Sequence, residues 1–241
     1  MATGYLTEQN IQIARGLVKG VYSVNKFGYN SGVPSNAFET VWDGSNLYTY
    51  VSTPGVATVT STDTTDDNGG TVQVFGLDDN YNLVDETLTI GGSAGSVTFK
   101  RVFRAVMLTA NTGTTNEGTI SVTVDSVAVA KIVPGKAQTL MAIYTIPANK
   151  KGYLIQLDVG SKKDLEHEIQ LVVRNGVSGN VWQTRSFITT RGGFLEKNFV
   201  LPIEINEKHD IEVRAKASAT SAVSAGFELM VVDSPRSSGH V

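Results

Sequence analysis

Apolar and polar residues alternate along most of this 241-residue chain, and a period of two predicts β-strands. The clearest unit is the stretch 71–92, in which two alternating runs flank the polar turn DDNY at 78–81. Asp and Asn side chains bond their own backbone and tolerate left-handed conformations, so this unit predicts a β-hairpin with a structural turn. The run 210–216 alternates equally clearly. Its expected inward residues are Ile211, Val213 and Ala215, and its expected outward residues are Glu212, Arg214 and Lys216.

Shorter runs recur at regular spacing up to the Pro134-Gly135 break. They predict strands at 39–42, 47–52, 58–62, 97–108 and 119–124, with Asp43-Gly44 closing a hairpin between the first two. Upstream, apolar residues at 5–20 fit a helical period only loosely, so a short helix and an extended arm are both open. Residues 21–36 are rich in Gly, Asn and Ser and predict a loop that crosses a surface.

Beyond the break the expected strands are longer, at 139–146, 153–159, 168–174, 180–188, 198–205, 209–217 and 224–232. Antiparallel strands at close spacing favour a β-sandwich or jelly roll. The sequence therefore predicts a mainly β protein of two antiparallel domains with an N-terminal arm. The expected segments are an arm at 1–36, a first β domain at 37–133, a second β-sandwich or jelly-roll domain at 134–233 and a flexible tail at 234–241.

Composition narrows the function class. Hydrophobic residues make up 41% of the chain and charged residues 18%, which is enough to form a core and argues against disorder. The net charge of −3 gives no electrostatic reason to expect a nucleic-acid partner. The chain has no cysteine, no apolar run of membrane-spanning length and no signal-peptide pattern at its N-terminus. No cofactor is expected.

Three patterns could carry chemistry, and each has a simpler structural explanation. The sequence GGSAG at 91–95 matches a hydrolase nucleophile motif around Ser93, but a strand rather than a helix is expected next, which favours a hairpin exit loop. The three histidines, His167, His209 and His240, show no metal-ligand spacing. The acidic loop Asp63, Asp66, Asp67 and Asn68 departs from calcium-loop spacing. Catalysis and metal binding are therefore not expected.

Trp42, Tyr48 and Tyr50 lie close together in sequence. As surface aromatics on a sheet they would stack on sugars or on a partner protein. Packing in the core around a turn is the favoured alternative, because aromatic side chains more often supply buried area.

Eight segments spread over most of the chain form a further pattern. They are EQNIQIARGLVKGVYSVNKFGYN at 8–30, ETVWDGSNLYTY at 39–50, VQVFGLDDNYNLVDETLTI at 72–90, RVFRA at 101–105, NEGTISV at 116–122, QTLMAIYTIPANKKGYL at 138–154, DIEVRAKAS at 210–218 and VSAGFELMVVD at 223–233. This pattern resembles virion structural proteins of tailed bacteriophages, especially marine and other environmental phages.

The resemblance implies a non-catalytic protein on the capsid surface that decorates or cements the shell, or forms a head fibre, after assembly in the host cytoplasm. The implied partners are the major capsid protein and copies of the chain itself, with a homotrimer favoured. Neither nucleic acid nor membrane is an expected partner. The expected partner-binding residues of the arm are Ile11, Ile13, Leu17, Val18, Tyr22, Phe27 and Tyr29. The alternative is a tail or fibre component that binds host glycans through Trp42, Tyr48 and Tyr50.

Overall fold

A computed structural model describes residues 11–65, 67–178 and 181–234. Within these ranges the chain forms a helical turn at residues 11–14 and fourteen antiparallel β-strands, so the mainly β prediction is confirmed. The strands are β1 Val21–Val33, β2 Glu39–Thr40, β3 Gly55–Ser61, β4 Thr71–Leu77, β5 Leu83–Thr89, β6 Thr98–Phe99, β7 Arg101–Thr109, β8 Ile120–Val124, β9 Val127–Ile132, β10 Ile143–Thr145, β11 Lys150–Asn175, β12 Gln183–Ile205, β13 His209–Ala217 and β14 Ser221–Asp233.

The largest sheet has seven strands and is organised by the 26-residue strand β11. Residues 150–161 of β11 pair with β14, and residues 167–175 pair with β13, so one strand belongs to two layers. Strand β12 follows β11 on its other side and turns the same corner at Gly192 and Gly193, whose φ angles are +69° and +80°. Apolar residues from both halves of β11 share one core, and we call this sheet with its core the C-terminal unit.

Strands β3 to β9 form two smaller sheets, ordered β6-β3-β8-β9 and β5-β4-β7. Their inward residues, such as Val59, Val72 and Val122, make a second core. We call this part the N-terminal unit. Residues 41–51 cross its core and contribute Trp42, Tyr48 and Val51.

The hairpin expected at 71–92 is confirmed. Strands β4 and β5 pair from Thr71 opposite Thr89 to Leu77 opposite Leu83. In the turn, Asp78 Oδ1 accepts hydrogen bonds from the backbone N–H groups of Asn80 (2.9 Å) and Asn82 (2.8 Å). The acidic turn is therefore held by its own side chain, as its composition indicates.

The loop expected at 21–36 is wrong over most of its length, because residues 21–33 are strand β1, which pairs along β14. Strand β1 and the short β2 belong to the large sheet, so sheet membership does not follow the expected boundary between arm and first domain. The composition misleads because the central inward positions of β1, Lys26, Gly28 and Asn30, are small or polar. A Cβ atom at Gly28 would lie 2.1 Å from the carbonyl oxygen of Val41, so only glycine allows this backbone approach.

Other expected elements also differ. Residues 47–52 form no strand, so Asp43-Gly44 closes no hairpin. The strands expected separately at 153–159 and 168–174 are parts of the single strand β11, and those expected at 180–188 and 198–205 fall largely within β12. Strand β9 was missed because the turn before it, Asp125-Ser126, contains no glycine although both residues have positive φ. Apart from Ser234, the expected tail lies outside the described residues.

Candidate functional site

The residues expected to bind a partner differ widely in burial. Ile13 is buried, and Tyr22 packs against the core of the C-terminal unit. Ile11, Leu17 and Phe27 are exposed, at 53%, 61% and 44% of their surface. The remaining two, Val18 and Tyr29, are half-buried. The structure thus leaves only part of the expected set accessible.

One row of side chains crosses the outer face of the β1-β14-β11-β12 layer. Register places Tyr29 opposite Ser224, Ser224 opposite Gly160, and Gly160 opposite Phe194. The two middle residues are small, so a shallow trough lies between two aromatic rings. Phe194 is 70% exposed.

The neighbouring row is acidic. Asp158 lies directly opposite Glu196 on β12, and Glu228 is a diagonal neighbour on β14. Burial raises the pKa of Asp158, and the charges of Glu228 and Glu196 raise it further. No ion pair to these three carboxylates is formed within the described ranges. Like charges facing each other across strands are destabilising, so this face is not optimised for the isolated chain.

Strand β12 has a bulge of four residues, 199–202, at the edge of the same layer, and we call these residues the extruded segment. Ile203 pairs with Leu154 and Asn198 pairs with Gln156, so residues 199–202 stand opposite Ile155 alone. Ile155 also lines a groove of about 240 Å³ with Ile13 and Met230. In the extruded segment, Val200 is 96% exposed and Leu201 is 84% exposed.

These features form one candidate interaction surface, which we call the docking surface. Its exposed or half-exposed apolar residues are Phe27, Tyr29, Phe194, Val200 and Leu201. The acidic row lies between the trough and the extruded segment, so this face is apolar at both ends and acidic in the middle, which suits contact with a partner protein. The extruded segment contains Pro202, which has no N–H, so addition of a further strand along this edge is disfavoured. The surface is suited to contact through its face.

Two of the three aromatic residues considered for sugar stacking, Trp42, Tyr48 and Tyr50, are in the core. Trp42 and Tyr48 are 5% and 7% exposed and meet edge to face at 5.1 Å. The Tyr48 hydroxyl donates to the carbonyl oxygens of Val102 (3.1 Å) and Val129 (3.0 Å). The core-packing interpretation is confirmed for Trp42 and Tyr48, and their use as sugar-stacking surface residues is wrong. Tyr50 is half-buried at the junction of the two units.

An ionic centre that the sequence did not predict joins the two units. The fully buried Asp210 carboxylate accepts hydrogen bonds from Arg101 Nε (2.8 Å) and Nη2 (3.1 Å), from Arg174 Nε (3.0 Å) and from Thr145 Oγ1 (2.7 Å). Arg101 belongs to the N-terminal unit and the others to the C-terminal unit. The residues are far apart in sequence, so no local pattern signals the centre.

The prediction that Glu212 faces outward from β13 is wrong. The side chain is fully buried, and the segment around Thr40 pairs beside β13 and contacts it. Its Oε2 accepts hydrogen bonds from Arg214 Nε (2.7 Å) and Thr40 Oγ1 (3.1 Å). Burial raises the pKa of Glu212, while the Arg214 guanidinium opposes the rise. The pairing of Glu212 with Arg214 at alternate positions was the one available sequence signal.

Arginines and aromatic rings alternate beside this centre. Arg174 stands 4.3 Å from the ring centre of Tyr50 and 4.6 Å from that of Trp182. Arg214 lies 4.3 Å from the Trp182 ring, and Arg101 lies 4.9 Å from the Tyr50 ring. Together with Lys100 they line a pocket of about 680 Å³, which we call the arginine pocket.

The motifs considered for catalysis have structural roles or lack a site around them. Ser93 lies in an exposed loop that is followed by strand β6, as the hairpin-exit interpretation predicts. His167 Nε2 is 3.0 Å from Ser221 Oγ, and its Nδ1 is 2.7 Å from the Leu165 carbonyl oxygen. Both His167 and Ser221 are 1% exposed, so this pair is buried.

The acidic loop is also explained by local hydrogen bonds. Asp67 is fully buried and accepts bonds from Ser61 Oγ (2.5 Å) and from the N–H groups of Glu117 (2.9 Å) and Gly118 (2.8 Å). Asp66 and His240 lie outside the described residues. Among the described residues, no group of three or more His, Cys, Asp or Glu side chains is arranged to hold a metal ion.

No protein-family model matches the chain, and the search of curated proteins finds no match. In the part of the chain that the structure describes, no helix has the length and apolar character needed to cross a membrane.

Proposed function

We propose that the chain is a structural virion protein that binds the assembled bacteriophage capsid and stabilises the shell without catalysis. The sequence resemblance supports the phage assignment. The observation that carries the binding role is the docking surface, above all the extruded Val200 and Leu201 at 96% and 84% exposure. Burying these two protruding apolar side chains against a partner is favourable, and the aromatic trough on the same face extends the area available for contact.

The proposed partners are the major capsid protein and other copies of the chain. A homotrimer at a capsid three-fold position would present three docking surfaces with one symmetry. A protein that binds only the assembled shell stabilises it by mass action, because disassembly then requires its release.

Virions of the phage that encodes the chain provide the test. Gold-labelled antibody should mark the head, and heads that lack the protein should lose DNA at lower temperature than complete heads. Added wild-type protein should restore their heat resistance, and the double variant Val200→Ser, Leu201→Ser should not.

Leu108→Ser is the matched control, because Leu108 is 52% exposed on β7, away from the docking surface. It should restore the heads as well as the wild type does. Labelling confined to the tail would reject the capsid role and favour the tail or fibre alternative. Full restoration by the double variant would reject the docking surface.

A further inference from the structure

The arginine pocket combines features of a binding site that its role as a junction between units does not require. The side chains of Arg174 and Arg214 are only 16% and 13% exposed. Each uses its Nε for a buried carboxylate, Asp210 or Glu212. Their Nη nitrogens donate to no acceptor within the described ranges. Two positioned guanidinium ends therefore remain for a ligand.

The rings and carboxylates fix these two arginines in place. Arg174 lies within 5 Å of the ring centres of both Tyr50 and Trp182, and Arg214 contacts Trp182 as closely. A guanidinium with its Nε held and its plane packed against a ring loses little freedom when it binds an anion. Free Nη groups on such arginines match the planar geometry of a carboxylate.

Charge and size narrow the ligand class. The lining cations are Lys100, Arg101, Arg174 and Arg214, and the two carboxylates behind them are fully buried. These carboxylates offset only part of the positive charge, so the pocket attracts a small anion. The volume of about 680 Å³ falls in the range of small-molecule sites. Hydroxyl groups of Thr49, Ser52 and Ser178 also line the pocket and suit a hydroxylated ligand.

We propose that the arginine pocket binds a carboxylate-bearing ligand of monosaccharide size, such as a hexuronic acid. The carboxylate lies between the Nη groups of Arg174 and Arg214, and the sugar hydroxyls face the Ser and Thr side chains. This inference is independent of the capsid role, because the pocket lies at the junction of the two units and not on the docking surface.

Calorimetric titration of the full chain with D-glucuronate tests the proposal. Glucuronate should give a saturable heat and raise the unfolding temperature, whereas D-glucose, which has the same ring without the carboxylate, should do neither. Arg214→Gln should weaken glucuronate binding by about 10-fold or more, because it removes charge-assisted hydrogen bonds. Arg185→Gln is the control, because Arg185 is exposed on β12 outside the pocket and its replacement should leave the affinity unchanged.

Several results would overturn the proposal. The wild type could give no saturable heat with glucuronate, or it could bind glucose as tightly as glucuronate. Sulfate could also bind at least as tightly as glucuronate, and that result would indicate a simple oxyanion site. Unchanged affinity in a folded Arg214→Gln variant would also overturn it. If that variant does not fold, Arg214→Lys replaces it. Lysine keeps the charge but not the two-nitrogen fork, and an unchanged affinity would count equally against the proposal.

Discussion

At the scale of single residues, Lys26 is a buried cation without a carboxylate partner among the described residues. It lies on the inward face of β1, and its Nζ donates to the Phe103 carbonyl oxygen. Burial, together with the charge of the nearby Arg104, lowers the pKa of Lys26 from its usual value near 10.5 to about 7. Tyr22 and Tyr144 line the same cavity, and burial raises the pKa of both hydroxyls above 10.

This burial predicts a pH-dependent stability. Between pH 7 and 10 the unfolded chain binds a proton at Lys26 that the folded protein does not, so the free energy of unfolding should rise with pH. The slope contributed by Lys26 is at most about 1.4 kcal/mol per pH unit. Urea unfolding at four pH values in this range measures it. Lys26→Met should flatten the curve, and the exposed control Lys19→Met should not. An unchanged slope in Lys26→Met would contradict the prediction.

Ser126 offers a local gain in stability. Asp125 and Ser126 form the turn between β8 and β9 with φ angles of +47° and +63°. A positive φ is costly for serine and free for glycine. Ser126→Gly should therefore raise the free energy of unfolding by about 0.5–1 kcal/mol. The control Ser121→Gly, inside β8, should lower it by a similar amount, since glycine weakens a strand. A lower free energy of unfolding in Ser126→Gly would contradict the prediction that the positive φ of Ser126 destabilises the turn.

At the scale of elements, β1 is the least expected strand and the easiest to test. It pairs along β14 and sends Tyr22 and Val33 toward the core of the C-terminal unit. Removing residues 1–33 exposes that core and leaves one edge of β14 unpaired. We expect this deletion to yield insoluble or unfolded protein.

Deletion of residues 1–20 is the matched control for β1. It keeps the strand and removes the buried Ile13, so it should fold and melt cooperatively a few degrees below the wild type. Soluble yield and thermal unfolding by circular dichroism compare the two proteins. A soluble, cooperatively melting 34–241 fragment would mean that β1 behaves as the expected arm.

At the scale of the whole molecule, two apolar cores are joined through one buried carboxylate. Asp210 binds Arg101 of one unit and Arg174 of the other, and Tyr81 of the N-terminal hairpin turn donates to the Gly176 carbonyl oxygen (2.9 Å). These contacts should make the units unfold together in a single calorimetric transition.

Asp210→Asn should break this coupling. The variant leaves two mostly buried guanidinium groups without a counter-ion, and removal of one partner of a buried pair costs about 3–5 kcal/mol. Calorimetry should show a lower and broader transition, or two transitions. Asp233→Asn breaks only the exposed pair with Lys150 and should cost less than about 1 kcal/mol. A loss below about 1 kcal/mol in Asp210→Asn would contradict the role of Asp210.

Local sequence predicts the position of a strand correctly where one face of the strand packs on a core and turn residues mark both of its ends. The hairpin at 71–92 and strand β13 at His209–Ala217 lie where the alternation and the turn residues predict them. Strand β1 was missed because its inward Gly28, Lys26 and Asn30 are selected by close packing against other segments and not by hydrophobicity.

The sequence by itself determined the β class, the turn chemistry and the alternation within most strands, because each depends on neighbours a few residues apart. Tertiary structure alone decided which faces are covered. Glu212 is buried where a segment some 170 residues earlier pairs beside its strand and donates a hydrogen bond to it. Arg101, Arg174 and Asp210 meet because strands of two units dock there. It also decided that Trp42 and Tyr48 are in a core while Val200 and Leu201 are in solvent. The burial of a side chain depends on which distant segment packs against it, and the local alternation of apolar and polar residues does not predict that segment.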